Sequence, residues 1–151
     1  MTAEPASIEP EGVDPAAFAA QVSQVSDDDL RALMSSELRE QILDEIFRRM
    51  VEHFRPDRAQ GVDAVIHWKI LDRPDGRYDH YEFVILSGSA ALNAPPAREP
   101  TLEFRIGPVH FLRLVTGNAA GPMLFMTGKL KIKGDLTLAA RAPGFFEIPK
   151  A

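Results

Sequence analysis

The apolar residues of this chain change their period between Phe54 and Val65, and that change limits the folds open to it. Leu30, Met34, Leu38, Ile42, Ile46, Met50 and Phe54 recur every four residues, with Leu33, Leu43, Phe47 and Val51 beside them. Such spacing paints one stripe along an α-helix. Ser26, with Asp29 three residues on, has the pattern of a capping box, and Asp27, Asp28 and Asp29 suit the positive end of a helix. The stripe predicts one helix from Asp27 to Phe54, or two meeting near Ser35-Ser36, ended by Pro56. Beyond it the period falls to two. Val65, His67, Lys69 and Leu71 alternate with Ile66, Trp68 and Ile70; after Pro74-Asp75-Gly76, Tyr81, Phe83 and Ile85 alternate with Glu82 and Val84. Two alternating runs around turn chemistry predict an antiparallel hairpin with a loop longer than two residues.

Ser87-Gly88-Ser89 interrupts the alternation, Ala90-Ala91-Leu92 predicts a short third strand, and Pro95-Pro96 a loop. Leu102, Phe104 and Ile106, alternating with Thr101, Glu103 and Arg105, predict a fourth strand. Gly107-Pro108 then opens a helix whose apolar side is Phe111, Leu112, Leu114 and Val115, and Gly117 stops it. Gly121-Pro122 leads into a short helix, Met123 to Met126. Lys129-Leu130-Lys131-Ile132-Lys133 is the fifth strand, and Leu136 to Arg141 a last helix before Pro143-Gly144. Helix, several strands, helix, strand, helix is an α+β order with an antiparallel sheet. At 151 residues a single domain is expected. It is assigned to residues 26–151, behind a mobile N-terminal tail over residues 1–25 whose start is rich in Pro, Glu, Ala and Ser.

Composition removes several function classes. A formal net charge of -5 argues against a sequence-independent nucleic-acid binder, which normally presents a basic surface. The absence of cysteine rules out disulfides, thiolate metal sites and cysteine nucleophiles. Glutamates stand where a secretory leader would carry lysine or arginine, and no apolar run is long enough to span a bilayer. A cytoplasmic protein is the expectation. His53, His67, His80 and His110 show no metal-ligand spacing, and no two fall on an obvious shared face. Nucleophile elbow, dinucleotide glycines and paired carboxylates in a plausible setting are all missing. No metal, cofactor or catalytic set is therefore expected. Tyr78-Asp79-His80-Tyr81 follows a turn, and alternation sends its side chains to opposite faces. A hairpin role fits it better than acid-base chemistry by His80 or Tyr81.

The lysine strand is a local basic feature on an acidic chain. Lys129, Lys131 and Lys133 could meet a lipid headgroup, a coenzyme A phosphate or an anionic membrane. They could equally be the solvated face of an edge strand, where lysine blocks edge-to-edge pairing. Gly128-Lys129 is not a phosphate loop, since the upstream glycine is missing and a strand follows.

Phe111-Leu112-Arg113-Leu114-Val115-Thr116-Gly117, followed by the run from Phe125-Met126-Thr127-Gly128 through Lys133-Gly134-Asp135-Leu136, resembles the signature of the sterol carrier protein 2 family. The resemblance covers about Leu38 to Arg141. LVTGNAAGP and LAARAPGFFEIP are similar to its small stand-alone actinobacterial branch. It implies an α+β fold with a five-stranded, largely antiparallel sheet covered on one side by helices, and an apolar tunnel between them. It further implies a non-enzymatic role: binding or transfer of fatty acid, fatty acyl-CoA, sterol or steroid. Transient membrane contact is a further expectation. His110 departs from the family's usual acid at that position, and Ala142-Pro143-Gly144 shortens the final segment.

Pattern alone makes Phe111, Leu114, Val115, Met123, Phe125, Met126, Leu130, Ile132, Leu136, Leu138, Phe145 and Phe146 core residues. The resemblance moves part of this set to a ligand-bearing wall, where methionine and phenylalanine adapt to loosely specified chains. Phe145-Phe146 could plug the pocket mouth or clamp the C-terminal segment. Trp68 is expected in the core or on a sheet face. Two other readings remain open: an interaction or dimerisation module with a filled cavity, using the helix from Asp27 to Phe54 as its partner surface, and a small cofactor-free enzyme.

Overall fold

The computed structural model describes residues 15–93 and 96–145. The helical stripe becomes two helices, α2 (Asp27–Met34) and α3 (Arg39–Glu52). Ser26 caps the first through its side chain, which accepts from the Asp29 amide at 3.2 Å. The break falls at Ser35-Ser36, whose hydroxyls donate back to the carbonyls of Arg31 and Leu33. Serine satisfies backbone acceptors in this way and lets the chain leave the helix. Leu30, Leu33 and Met34 of α2, and Ile42, Leu43, Ile46 and Phe47 of α3, are buried.

The period-two segments form β1 (Ala64–Ile70), β2 (Asp79–Leu86), β3 (Ser89–Asn93) and β4 (Leu102–Ile106); the lysine strand is β5 (Leu130–Gly134). They make one sheet in the order β3-β2-β1-β4-β5. Every pairing is antiparallel except that of β1 with β4, which is parallel. The expected α+β, largely antiparallel five-stranded architecture is therefore the one found. Ile66, Trp68, Ile70, Tyr81, Phe83, Ile85, Leu102, Phe104 and Ile106 are buried on the face that meets the helices. Phe47 is the hub, stacked on Tyr81 at 4.0 Å and on Phe111 at 5.3 Å, with Trp68 edge-on at 6.2 Å.

After β4 come α4 (Pro108–Val115), α5 (Gly121–Met126) and, beyond β5, α6 (Leu136–Arg141) with a 3-10 turn over Ala142–Phe145. The N-terminal boundary differs from expectation. Pro15–Gln24, assigned to the tail, is a helix, α1, whose Phe18, Ala19 and Val22 are buried. Arg113 of α4 holds it, donating to the carbonyls of Val22 and Val25 at 2.7 Å each and pairing with Asp27 at 2.8 Å. A cation on the carbonyl end of a helix satisfies acceptors the helix leaves open. Local composition at 15–24 carried no sign of this distant partner.

Candidate functional site: an apolar cavity between sheet and helices

A cavity of about 360 Å³ lies between the sheet and the helices. Its floor is Ile66 and Trp68 of β1, Phe104 of β4, and Leu130 and Ile132 of β5. Alternation puts these side chains on one face, and the pairing of Trp68 with Phe104 and Phe104 with Ile132 sets them side by side. Ile46 and Met50 of α3, Leu114 and Val115 of α4, Phe125 of α5, and Leu136, Ala139 and Ala140 of α6 form the walls; Phe18 of α1 closes one side. Glycine and alanine at Gly121, Ala139, Ala140 and Ala142 leave room where larger residues would fill it. Among the described residues the polar lining is confined to Arg49, His53 and Thr116. Thr116 spends its hydroxyl on the Leu112 carbonyl, and Arg49 pairs with Glu45 at 3.1 Å. Such a chamber suits a molecule that is apolar along most of its length.

Of the residues singled out from sequence, Leu114, Val115, Phe125, Leu130, Ile132 and Leu136 line this cavity. Phe111 does not; it is fully buried in the Phe47 cluster, because its helix turns that side to the sheet. Leu138 is buried but outside the lining, while Met123 and Met126 are exposed. Of the six residues of α5 only Leu124 is buried. Phe145 is fully buried, its carbonyl accepts from the Arg55 amide at 2.6 Å, and the Arg141 guanidinium lies over its ring. Phe145 thus clamps the chain rather than facing the cavity; Phe146 lies outside the described residues. The walls from α1 and α3 were missed. Ile46 and Met50 belong to the stripe read as core, and nothing local distinguishes a stripe facing a cavity from one facing a filled core.

The opposite face of the sheet holds a second polar arrangement. His67 and His80, expected on no common face, are neighbours: His80 Nε2 is 2.8 Å from His67 Nδ1, and His67 Nε2 is 2.9 Å from Glu82. Glu82 is fully buried and also accepts from Asn93 at 3.0 Å and from the amides of Ala97 and Arg98 at 3.3 and 2.8 Å. Burial alone would raise its pKa, but these donors outweigh it and hold the carboxyl near pKa 2. A carboxylate there requires His67 to donate through Nε2, which leaves Nδ1 for the bond with His80. Burial, then the charges of His67 and Lys69, lower the His80 pKa and favour its neutral form. The three residues tie the connection between β3 and β4 to the sheet. Neither His80 nor Tyr81 lines the cavity; Tyr81 donates to Asp44 at 2.6 Å, and burial with that bond raises its pKa. No group of three or more potential metal ligands is assembled among the described residues.

Fold and cavity together define the class: a small α+β domain whose helices roof one face of the sheet over an apolar chamber. The chain belongs to the SCP-2 sterol transfer family, whose model matches residues 43–147. It is 38% identical over 55 residues to a fatty acid-binding protein of Yarrowia lipolytica, a stretch that covers 36% of this chain and 43% of that protein. The apo form of sterol carrier protein 2 from Yarrowia lipolytica superposes with a TM-score of 0.56 at 23% identity, over 72% of this chain and 89% of the other. A stereoselective inverting sec-alkylsulfatase from Pseudomonas sp. contains a similar fold, with a TM-score of 0.58 at 15% identity over 76% of this chain. The match spans only 17% of that enzyme. Among the described residues no helix is long and apolar enough to cross a membrane.

Proposed function

We propose that the chain is a non-enzymatic carrier that binds, and hands on, one hydrophobic molecule held in the cavity between β1, β4, β5 and the helices. The observation that carries this reading is the cavity itself, about 360 Å³ with polar lining from three of the described residues. Its size falls within the usual range for small-molecule pockets. Burying about ten methylenes at ~0.8 kcal/mol each supplies ~8 kcal/mol of gross driving force, enough for micromolar binding before ordering costs. Fatty acid, fatty acyl-CoA, sterol and steroid all present such a surface. Membership of a sterol transfer family and similarity to a fatty acid-binding protein support the class without choosing within it. Arg49 and His53 are the lining groups suited to an anionic end such as a carboxylate.

An unfilled chamber argues against a cavity packed with the protein's own side chains. The placement of His80 and Tyr81 outside the lining takes away the two groups considered for acid-base chemistry. A cytoplasmic location belongs to the same proposal, in keeping with a chain that has no cysteine to oxidise. The bacterial, actinobacterial placement rests on LVTGNAAGP and LAARAPGFFEIP alone.

The direct test is titration of delipidated protein with a fluorescent fatty acid and a fluorescent sterol, alongside native mass spectrometry of freshly purified protein. Saturable one-to-one binding at micromolar concentration is expected. Absence of saturable binding together with no co-purified lipid would overturn the assignment.

A further inference from the structure

The two edges of the sheet are built differently. β3 and β5 are its outer strands, and among the described residues neither has a neighbouring strand on its outer side. β3 carries no charge, whereas β5 alternates apolar and basic residues. Pairing with β4 sorts the two sets onto opposite faces. Leu130 and Ile132 lie beside Ile106 and Phe104 on the cavity face, and Lys131 and Lys133 lie beside Arg105 and Glu103 on the other. Lys129 continues the alternation one residue before the strand.

Each face is left incomplete at this edge. On the cavity face α5 and α6 both pack on β5. Yet Ile132 is only half-buried, and Phe125 and Leu136, which line the cavity with it, are 46% and 60% exposed. On the other face Lys129, Lys131 and Lys133 are exposed, and none forms an ion pair among the described residues. Glu103, the carboxylate beside Lys133, is already shared by Lys69 and Arg105. Asp135 is occupied as the cap of α6. Protection of an outer strand accounts for its lysines. It does not account for the apolar side chains left open on the reverse of the same strand.

One kind of partner completes both faces at once: an extended chain in which carboxylates alternate with apolar side chains. We infer that β5 accepts a sixth strand of this pattern from an acidic partner protein. The added backbone pairs with the outer amides and carbonyls of β5, as peptides do when they extend a sheet edge. Side chains of a strand alternate between its faces. The partner's carboxylates therefore meet Lys129, Lys131 and Lys133, and the residues between them cover Ile132, Phe125 and Leu136. Unlike charges opposed across a strand pair attract, and like charges repel. The same lysine row thus selects an acidic strand and rejects a second copy of this chain, which would set lysine against lysine across a two-fold contact. A bound strand closes the open side of the cavity; that consequence rests on the carrier reading, whereas the docking itself does not.

The test titrates the ligand-free full chain, followed by amide nuclear magnetic resonance, with a short synthetic peptide in which glutamate and valine alternate. A peptide of the same composition with its glutamates and valines in separate blocks is the control. Shifts and new hydrogen-exchange protection are expected at residues 129–134 and not at β3, with the block peptide binding about 10-fold more weakly. Lys129→Gln/Lys131→Gln/Lys133→Gln is expected to weaken the alternating peptide by about 10-fold as well, and added salt to weaken its binding to the parent chain. N-methylation of the peptide amides along one edge should abolish binding and along the other edge should not, as backbone pairing requires and charge attraction alone does not. The three lysines do not line the cavity, so the variant should keep its circular dichroism spectrum and its fluorescent fatty-acid binding. Equal affinity for the two peptides, indifference to N-methylation, shifts centred on β3, or no saturable binding at millimolar peptide would overturn the inference. Absence of fatty-acid binding by the parent chain would instead count against the carrier reading alone, because peptide docking is measured without ligand.

Discussion

Arg39 is the most heavily committed side chain among the described residues. Nearly buried, it pairs with Asp79 at 2.7 Å and donates to the carbonyls of Ile70 and Leu71 at 2.8 Å, Asp72 at 3.1 Å and Met34 at 3.3 Å. One guanidinium thus joins the end of α2, the start of α3 and the β1–β2 turn. Arg39→Met should lower stability by about 3 kcal/mol, read from urea unfolding, because it strands four carbonyls and weakens the hold on Asp79. The figure sits at the low end for a broken buried pair because Arg73 still reaches Asp79 at 3.3 Å. Gly134 is a backbone requirement: its φ is 108°, and a Cβ there would lie 2.4 Å from the Thr101 carbonyl oxygen. Gly134→Ala should cost about 2 kcal/mol or more and lower the melting temperature. Histidine sets the acid behaviour. His80 has a lowered pKa in the fold, so its contribution is whole above about pH 6.5 and is lost as pH falls below that value. Glu82 contributes fully above about 4.5, and that contribution is lost as pH falls toward about 2. Urea midpoints should therefore drop first below neutrality and again in strong acid. His80→Gln should flatten the first drop and leave the second.

Among the elements, α1 and β5 depend most on partners far away in the chain. α1 is amphipathic only weakly to the eye, yet Arg113 and Asn118 bind its carbonyls at Val22, Val25 and Ala19. Arg113→Gln should raise hydrogen exchange across residues 15–25 while leaving the sheet protected, since the bonds lost are those of one docked helix. If exchange rose equally in β1 and β4, α1 would be an integral part of the core instead. β5 answers the question its lysines raise. Leu130 and Ile132 face the cavity, and Lys129, Lys131 and Lys133 remain in solvent.

Across the whole molecule, the helices roof one sheet face over a space they do not fill, while the other face is knitted by His67, His80, Glu82, Lys69, Glu103 and Arg105. Lys69 and Arg105 meet Glu103 at 2.9 and 2.8 Å. Burial raises the Glu103 pKa, and the two cations outweigh it and lower it. The polar network and the cavity of the proposed carrier role thus lie on opposite faces of the sheet. Ile132→Trp projects extra ring volume into the chamber from the floor. Fluorescent fatty-acid binding should fall at least ~10-fold while the far-ultraviolet spectrum is kept, as occupancy of the same space would require. Unchanged affinity would place the ligand elsewhere.

The elements were legible because their causes are local. A four-residue stripe, a two-residue alternation, Ser26 before three aspartates and Gly107-Pro108 each act within a few positions, and each appears in the structure where those residues stand. Half of the proposed pocket set was also legible, since Leu130 and Ile132 alternate with lysine and Leu114, Val115 and Phe125 belong to a family-like signature. What stayed hidden was set by contacts between distant segments. The His67–His80–Glu82 chain needs the β1–β2 register, which pairs His67 with Glu82 and Lys69 with His80 across a long turn. Docking of α1 needs Arg113, which lies about ninety residues on. The division between a filled core and an open chamber needs the volumes of Phe111, Leu138 and Ala139 to be placed against one another. The sequence by itself determined which residues are apolar on which face. Only the tertiary structure decided which of those faces meet another side chain and which meet empty space, because packing is a property of the distances between elements.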